Sequence, residues 1–273
     1  MGGKKRIAGK FASLREKGEK GLISYVTAGY PNVEDCVEIV RALADHSDLI
    51  EIGIPFSDPV ADGPIIQNSS YQALVGGIKQ ADIFKMAAKI RSFTDLPILF
   101  MTYYNPVIRS GIENFVKNTA SIGIDGLIVP DLPVEEDDRL RGCMDKYSLS
   151  LVPLAAPTST GRRLEEISRK GDSFIYCVSV TGVTGSSNVI SSDLNLFSER
   201  VRKHTSLPLA VGFGISGPEI ARRAAAGFDA VVVGSAIVKA IDGSGGLSGA
   251  IGRVSSLAGS IKEVLINGGD DNE

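Results

Sequence analysis

The run LAVGFGISGPEIARRAAAGFDAVVVGSAIV, residues 209–238, holds a strand, a glycine-rich turn, a helix and a second strand, and its place in the chain decides the fold. The turn GFGISG (212–217) matches the dinucleotide fingerprint G-x-G-x-x-G letter for letter and follows a strand, as that motif requires. A dinucleotide-binding fold would set this turn in its first βα unit and end the next strand in an acidic residue. Here the turn belongs to the seventh unit, and the strand after it ends in Gly234. Working back towards the start, apolar runs suited to buried strands recur as LISYV (22–26), LIEIG (49–53), ILFMTY (98–103), GLIVP (126–130), LVPLA (151–155) and FIYCVS (174–179). With LAVG (209–212) and AVVVG (230–234) they make eight, and Glu51 is the exception to their lack of charge. Amphipathic helical stretches separate them, such as VEDCVEIVRALADH, ADIFKMAAKIRSF and PEIARRAAAGF. Eight βα units without a linker or a shift in composition predict a single (β/α)8 TIM barrel spanning 1–273. An extra helix, RIAGKFASLREKG, is expected before the first strand and a last one through LSGAIGRVSSLAGSIKEVL, with flexible tails at about 1–5 and 268–273.

Composition narrows the function. With 43% hydrophobic and 22% charged residues the chain has the make-up of a soluble globular protein. A net charge of -3 argues against a nucleic-acid surface, which needs a basic stripe. No apolar run approaches the length of a membrane span, and the opening MGGKKRIAGKF lacks a signal-peptide core, so a cytoplasmic protein is expected. Cys36, Cys143 and Cys177 are odd in number and far apart, which fits structural thiols rather than disulfides or a zinc pair.

In a barrel the chemistry sits at the carboxyl ends of the strands. Glu51 lies there in an otherwise apolar strand, where burial without a partner would raise its pKa and let it exchange protons near neutrality; the alternative is a structural carboxylate paired with Arg or Lys. The next segment, IPFSDPVADGP, is too rich in Pro and Asp to be a helix and adds Asp58 and Asp62. Either could meet Glu51 across a substrate, and either could be a turn or cap residue.

A second signal points to phosphate. The loops GFGIS and GSAIV, after strands seven and eight, can offer backbone N–H groups and a short helix N-terminus to an anion, with Ser235 capping that helix. After strand six, TGVTGSSN (181–188) has the composition of a mobile lid, or of a merely flexible surface loop. Carbon–carbon cleavage of a sugar phosphate commonly uses a Schiff-base lysine or a metal. None of the eight runs contains Lys, and His46 and His204 are placed towards the opposite face. A site made of carboxylates needs a leaving group that accepts a proton at carbon, and indole meets that need.

The segment IEIGIPFSDPVADGPIIQ (50–67) resembles the signature of the tryptophan synthase α chain family. So do VTAGYP (26–31), MTYYNP (101–106), VPDLPVEE (129–136), APTS (156–159), YCVSVTGVTG (176–185), VGFGIS (211–216) and VVVGSAIV (231–238), leaving only the tails unmatched. The resemblance implies cleavage of indole-3-glycerol phosphate to indole and glyceraldehyde 3-phosphate. It makes Glu51 the acid–base residue that protonates indole C3, and Asp62 the residue that holds the indole N–H. Tyr176 would orient Glu51, and Thr184 would contact Asp62 from the lid. Gly185, Gly214, Gly234 and Ser235 would hold phosphate, while Tyr25, Tyr103 and Phe213 complete the implied binding set. Three departures stand out: Tyr25 where a Phe often lines the indole pocket, Tyr30 in place of an acidic residue, and Val180 with Thr181 at lid positions.

The family also implies a β-subunit partner in an α2β2 complex, facing IPFSDPVADGP and YNPV (104–107). Pyridoxal phosphate is expected only in that partner; this chain is expected to bind no cofactor and no metal. A stand-alone lyase releasing free indole would share every motif. A non-catalytic activator of the β chain, or a barrel enzyme acting on another aromatic sugar phosphate, are the remaining alternatives.

Overall fold

The computed structural model describes residues 2–178, 187–212, 214–243 and 245–267. Helix α1 (Gly3–Lys17) leads into β1 (Gly21–Thr27), α2 (Val33–Ala44) and β2 (Leu49–Gly53). Then α3 (Pro64–Val75) and α4 (Gln80–Arg91) precede β3 (Ile98–Met101), and α5 (Tyr104–Ser110) and α6 (Ile112–Ser121) precede β4 (Gly126–Ile128). Next come α7 (Asp138–Lys146), β5 (Ser150–Val152), β6 (Leu154–Ala155), α8 (Gly161–Lys170), β7 (Ile175–Val178), α9 (Ser187–Arg202) and β8 (Leu209–Gly212). Helix α10 (Pro218–Ala225), β9 (Ala230–Val233), α11 (Ser235–Ile241) and α12 (Gly246–Asn267) follow.

Every strand pairing is parallel, in the order β5-β4-β3-β2-β1-β9-β8-β7-β6. The two ends of that order, β5 and β6, are separated in sequence by Pro153 alone, so the sheet returns on itself as a (β/α)8 TIM barrel. Proline has no N–H for a ladder, which is why the fifth predicted strand is cut in two there. The carbonyl of Pro153 still accepts from the Tyr176 N–H at 3.0 Å and joins the halves to β7.

Side chains alternate across the barrel wall. Ile23, Leu49, Leu99, Ile128, Val152, Ala210, Ala230 and Val232 share an inner core with Ile7, Phe11 and Leu14 of α1. Their neighbours Leu22, Ile50, Ile98, Leu127, Leu151, Leu209 and Val231 belong to an outer core with the surrounding helices. Helix α1 thus closes the amino-terminal mouth, its Phe11 ring 5.3 Å from that of Phe174. Sequence reading assigned residues 1–5 to a loose tail; residues 3–5 instead form the first turn of α1, with Gly3 buried and Lys4 paired to Asp172 at 2.8 Å. The other expected tail, 268–273, lies outside the described residues.

The amino-terminal rim repeats one device. Asp48, Asp125 and Asp229 each stand immediately before β2, β4 and β9. Each accepts an N–H from the start of the preceding strand: Leu22 to Asp48 at 2.8 Å, Ile98 to Asp125 at 2.8 Å and Leu209 to Asp229 at 2.7 Å. Each is also paired with a cation: Lys262 at 2.9 Å, Arg91 at 2.7 Å together with Arg6, and Arg202. A fourth, Asp172, accepts from the Ser150 hydroxyl and pairs with Lys4. Strand ends that would otherwise leave a donor orphaned are satisfied this way.

Candidate active site

Glu51 is the third residue of β2 and two residues on from inner-core Leu49, so it too points into the barrel. It is 1% exposed, and neither of its carboxylate oxygens has a hydrogen-bond partner among the described residues. The alternative of a structural ion pair is therefore not what the fold provides. Burial, and then the negative charge of Asp62, push its carboxyl up to about 8. A carboxylic acid in that range holds its proton at neutrality and can still release it.

Of the two aspartates left open by sequence, Asp62 is the one brought to Glu51. Asp58 is exposed and accepts from the Ser57 hydroxyl at 2.5 Å. The carboxylate of Asp62 accepts from the Tyr103 hydroxyl at 3.1 Å, and the Tyr103 hydroxyl oxygen in turn accepts the Ala61 N–H at 3.0 Å. Tyr103 in turn stacks on Phe56, ring centres 5.2 Å apart. Gln67 of α3 donates to the Asp62 carbonyl at 2.8 Å, so both ends of the residue are held. Burial pushes the Asp62 carboxyl up to about 6, against the downward pull of the Tyr103 hydroxyl. Two neighbouring carboxyls with separated pKa values, one protonated and one ionised near pH 7, form an acid and an anion ready for different tasks.

Tyr25 lies beside Glu51 in register on β1. Burial first, then the charges of Asp62 and Glu51, keep its phenol protonated. Its hydroxyl turns to Thr27 Oγ1 at 3.4 Å. The space it fills exists because residue 53 is glycine: a Cβ there would collide with the phenol. Tyr176, on β7, uses the same device, since a Cβ on Gly212 would stand 2.6 Å from its hydroxyl. Burial raises the Tyr176 phenol, followed by the charge of Glu51, and its ring packs against the inner core.

At the expected phosphate end, Gly214 has φ +36° with open space where a side chain would be. Gly234, not Ser235, is the N-cap of α11; Ser235 is its first residue and makes no capping bond, because the strand already turns into the helix at the glycine. Thr184, Gly185 and Phe213, with Val180 and Thr181, lie outside the described residues. Sequence reasoning missed Phe56, Gln67, Thr27 and Ser69, which hold the named residues in place. The spacing of Gly53 two residues after Glu51 was visible, but its purpose depends on Tyr25 from another strand. Among the described residues no three His, Cys, Asp or Glu side chains cluster as a metal site.

The chain matches the family described as tryptophan synthase alpha chain over residues 11–264. It is 46% identical to the tryptophan synthase alpha chain of Thermoanaerobacter sp. (strain X514), over 95% of this chain and 99% of that one. Among solved structures, tryptophan synthase from M. tuberculosis superposes with TM-score 0.85 at 32% identity, covering 95% of this chain and 98% of that chain. Tryptophan synthase subunit alpha from Legionella pneumophila str. Paris superposes with TM-score 0.86 at 30% identity, covering 96% and 98%. A match of this extent, on a barrel that brings Glu51 and Asp62 together, places the chain in the tryptophan synthase α chain family, the lyases that cleave indole-3-glycerol phosphate to indole and glyceraldehyde 3-phosphate.

Proposed function

We propose that Glu51 and Asp62 carry out this retro-aldol cleavage as an acid–base pair, without help from a cofactor on this chain. The observation that carries the reading is the buried Glu51 carboxyl, free of partners among the described residues and protonated at neutrality. Glu51 gives its proton to indole C3, and the positive charge that develops on the ring is met by Asp62 at the indole N–H. The Glu51 carboxylate so formed takes the proton of the glycerol hydroxyl next to the scissile bond. The electrons of that O–H bond become the aldehyde, and those of the C–C bond return to the ring. The products are indole and glyceraldehyde 3-phosphate, and Glu51 ends protonated as it began. Tyr25, Tyr103 and Tyr176 surround the ring; Gly214, Gly234 and Ser235, together with Gly185, receive the phosphate end, and Thr184 is assigned to Asp62.

The proposed partner is a tryptophan synthase β chain, the holder of pyridoxal phosphate and consumer of the indole, in an α2β2 complex. Exposed apolar side chains at the catalytic rim support this: Val60, 82% exposed, follows β2, and Ile108, 53% exposed, follows β3.

The test is to incubate the chain with indole-3-glycerol phosphate and follow indole fluorescence, which the chain itself does not obscure because it contains no Trp. Glu51→Gln should lower the rate by about 10²- to 10⁴-fold. An unchanged rate in that variant removes Glu51 from the reaction. Repeating the assay with a β chain separates a synthase subunit, whose rate rises, from a free lyase, whose rate does not; product formation only by the partner would mark a non-catalytic activator.

A further inference from the structure

Helix α3 begins two residues after Asp62, yet it is poorly fastened by apolar packing. Its buried residues are Ser69, Ser70 and Ala73, all small, while Tyr71, Leu74 and Val75 are exposed. What reaches from it into the barrel wall is a hydroxyl: Ser69 Oγ lies 2.6 Å from Thr27 Oγ1 at the end of β1, both residues fully buried. Ser69 donates to the carbonyl of Ile66 at 2.9 Å. A hydroxyl has one proton to give, so the short contact is Thr27 donating to Ser69. With the Thr27 proton committed, the Tyr25 phenol is the donor in its contact with Thr27. The three hydroxyls therefore point one way, from Tyr25 through Thr27 and Ser69 to the Ile66 carbonyl. Two residues before Ser69 on the same helix, Gln67 holds the backbone of Asp62.

We propose that Thr27 and Ser69 are positioning residues for the cleavage: their hydroxyls register α3 on the barrel and so set the carboxylate of Asp62 against the ring nitrogen of the substrate. The proposal rests on the reading of Asp62 given above. Neither residue touches substrate; both act through α3. Misplacing a reacting group by about 1 Å can cost about 10²-fold in rate, so a slackened α3 is expected to appear in turnover.

The test measures kcat and KM for indole-3-glycerol phosphate across pH in the full chain, with and without a β chain. The variants are Ser69→Ala, Thr27→Val, Thr27→Ser and Asp62→Asn. Ser69→Ala and Thr27→Val should lose about ten- to a hundredfold in kcat. Their acid limb should move to higher pH, because a displaced Asp62 loses the Tyr103 donor that favours its ionised form, while the alkaline limb stays in place. Thr27→Ser, which keeps the hydroxyl, should restore both rate and profile. Wild-type kcat with an unmoved acid limb in Ser69→Ala overturns the proposal, as does a rate loss that Thr27→Ser shares. If Thr27→Val does not fold, Ser69→Ala decides alone, since it places a good helix former within a helix. If Asp62→Asn keeps full rate, the reading of Asp62 falls and this proposal with it; if Asp62→Asn is crippled while Ser69→Ala is not, only this proposal falls.

Discussion

Glu51 and Asp62 have carboxyls pushed up to about 8 and about 6, and the two values bracket neutrality. The proposed mechanism needs Glu51 protonated and Asp62 ionised, so kcat/KM should fall below about pH 6 and above about pH 8, a bell measurable by initial rates. A flat profile across the upper limb would remove Glu51 as the acid. The same shift governs stability. The ordinary glutamate value is 4.5, so between there and about 8 the folded chain holds a proton that the unfolded chain has lost. Stability is therefore greatest with respect to this group below pH 4.5 and drains as pH rises to about 8. Glu51→Gln escapes the penalty. Its Tm should exceed that of the parent chain at pH 8.5 and approach it at pH 5, the difference in unfolding free energy reaching a few kcal/mol at about 1.4 kcal/mol per pKa unit. An equal Tm gain at both pH values would refute this account. Glu51 was legible in the sequence because a charge in an apolar strand is conspicuous. The choice of Asp62 over Asp58 came only from the family resemblance, because its physical reason depends on Tyr103, distant in sequence and supplied by the end of the next barrel strand. Thr27 and Ser69 were less legible still: two ordinary hydroxyls acquire meaning only when β1 and α3 are side by side.

At the scale of elements, the two rims of the barrel carry different loads. The aspartates of the amino-terminal rim tie strand starts to helices. Asp125 illustrates this best, binding the Ile98 N–H while Arg6 of α1 and Arg91 of α4 close on it. Burial pushes its carboxyl up against the pull of that N–H and of both guanidinium groups. Asp125→Ala leaves two partly buried cations and a strand N–H without their acceptor. It should destabilise the chain by about 3 kcal/mol or more in denaturant titration while KM stays near that of the parent. Sequence periodicity found all eight staves, yet it ran the fifth through Pro153, where the missing N–H splits it into β5 and β6. It also passed over α3 and α5, while α11 was expected from the loop after strand eight rather than from periodicity. Helices α5 and α11 are seven residues each, too short for a 3.6-residue period to show, and α3 buries only Ser and Ala where an apolar stripe would be sought.

For the whole molecule, closure was the step that alternation of strand and helix could not decide, since an open sheet shows the same pattern; it rests on β5 and β6 being one run of chain. The ring so closed is uneven. On one side β1 spans seven residues and matches β2 at five positions. On the other, β4 and β5 match at three positions and β6 meets β7 at two. In amide hydrogen exchange the ring should behave as two arcs, with β1 and β2 opening only on global unfolding and β4 to β6 exchanging through smaller local openings. Uniform protection around the ring would contradict this. Glu51 and Tyr25 belong to the persistent arc, while Tyr176 stands at the seam where the labile arc ends. The proposed acid is thus mounted on the wall with the longest pairing, and the expected local openings fall in the wall facing it.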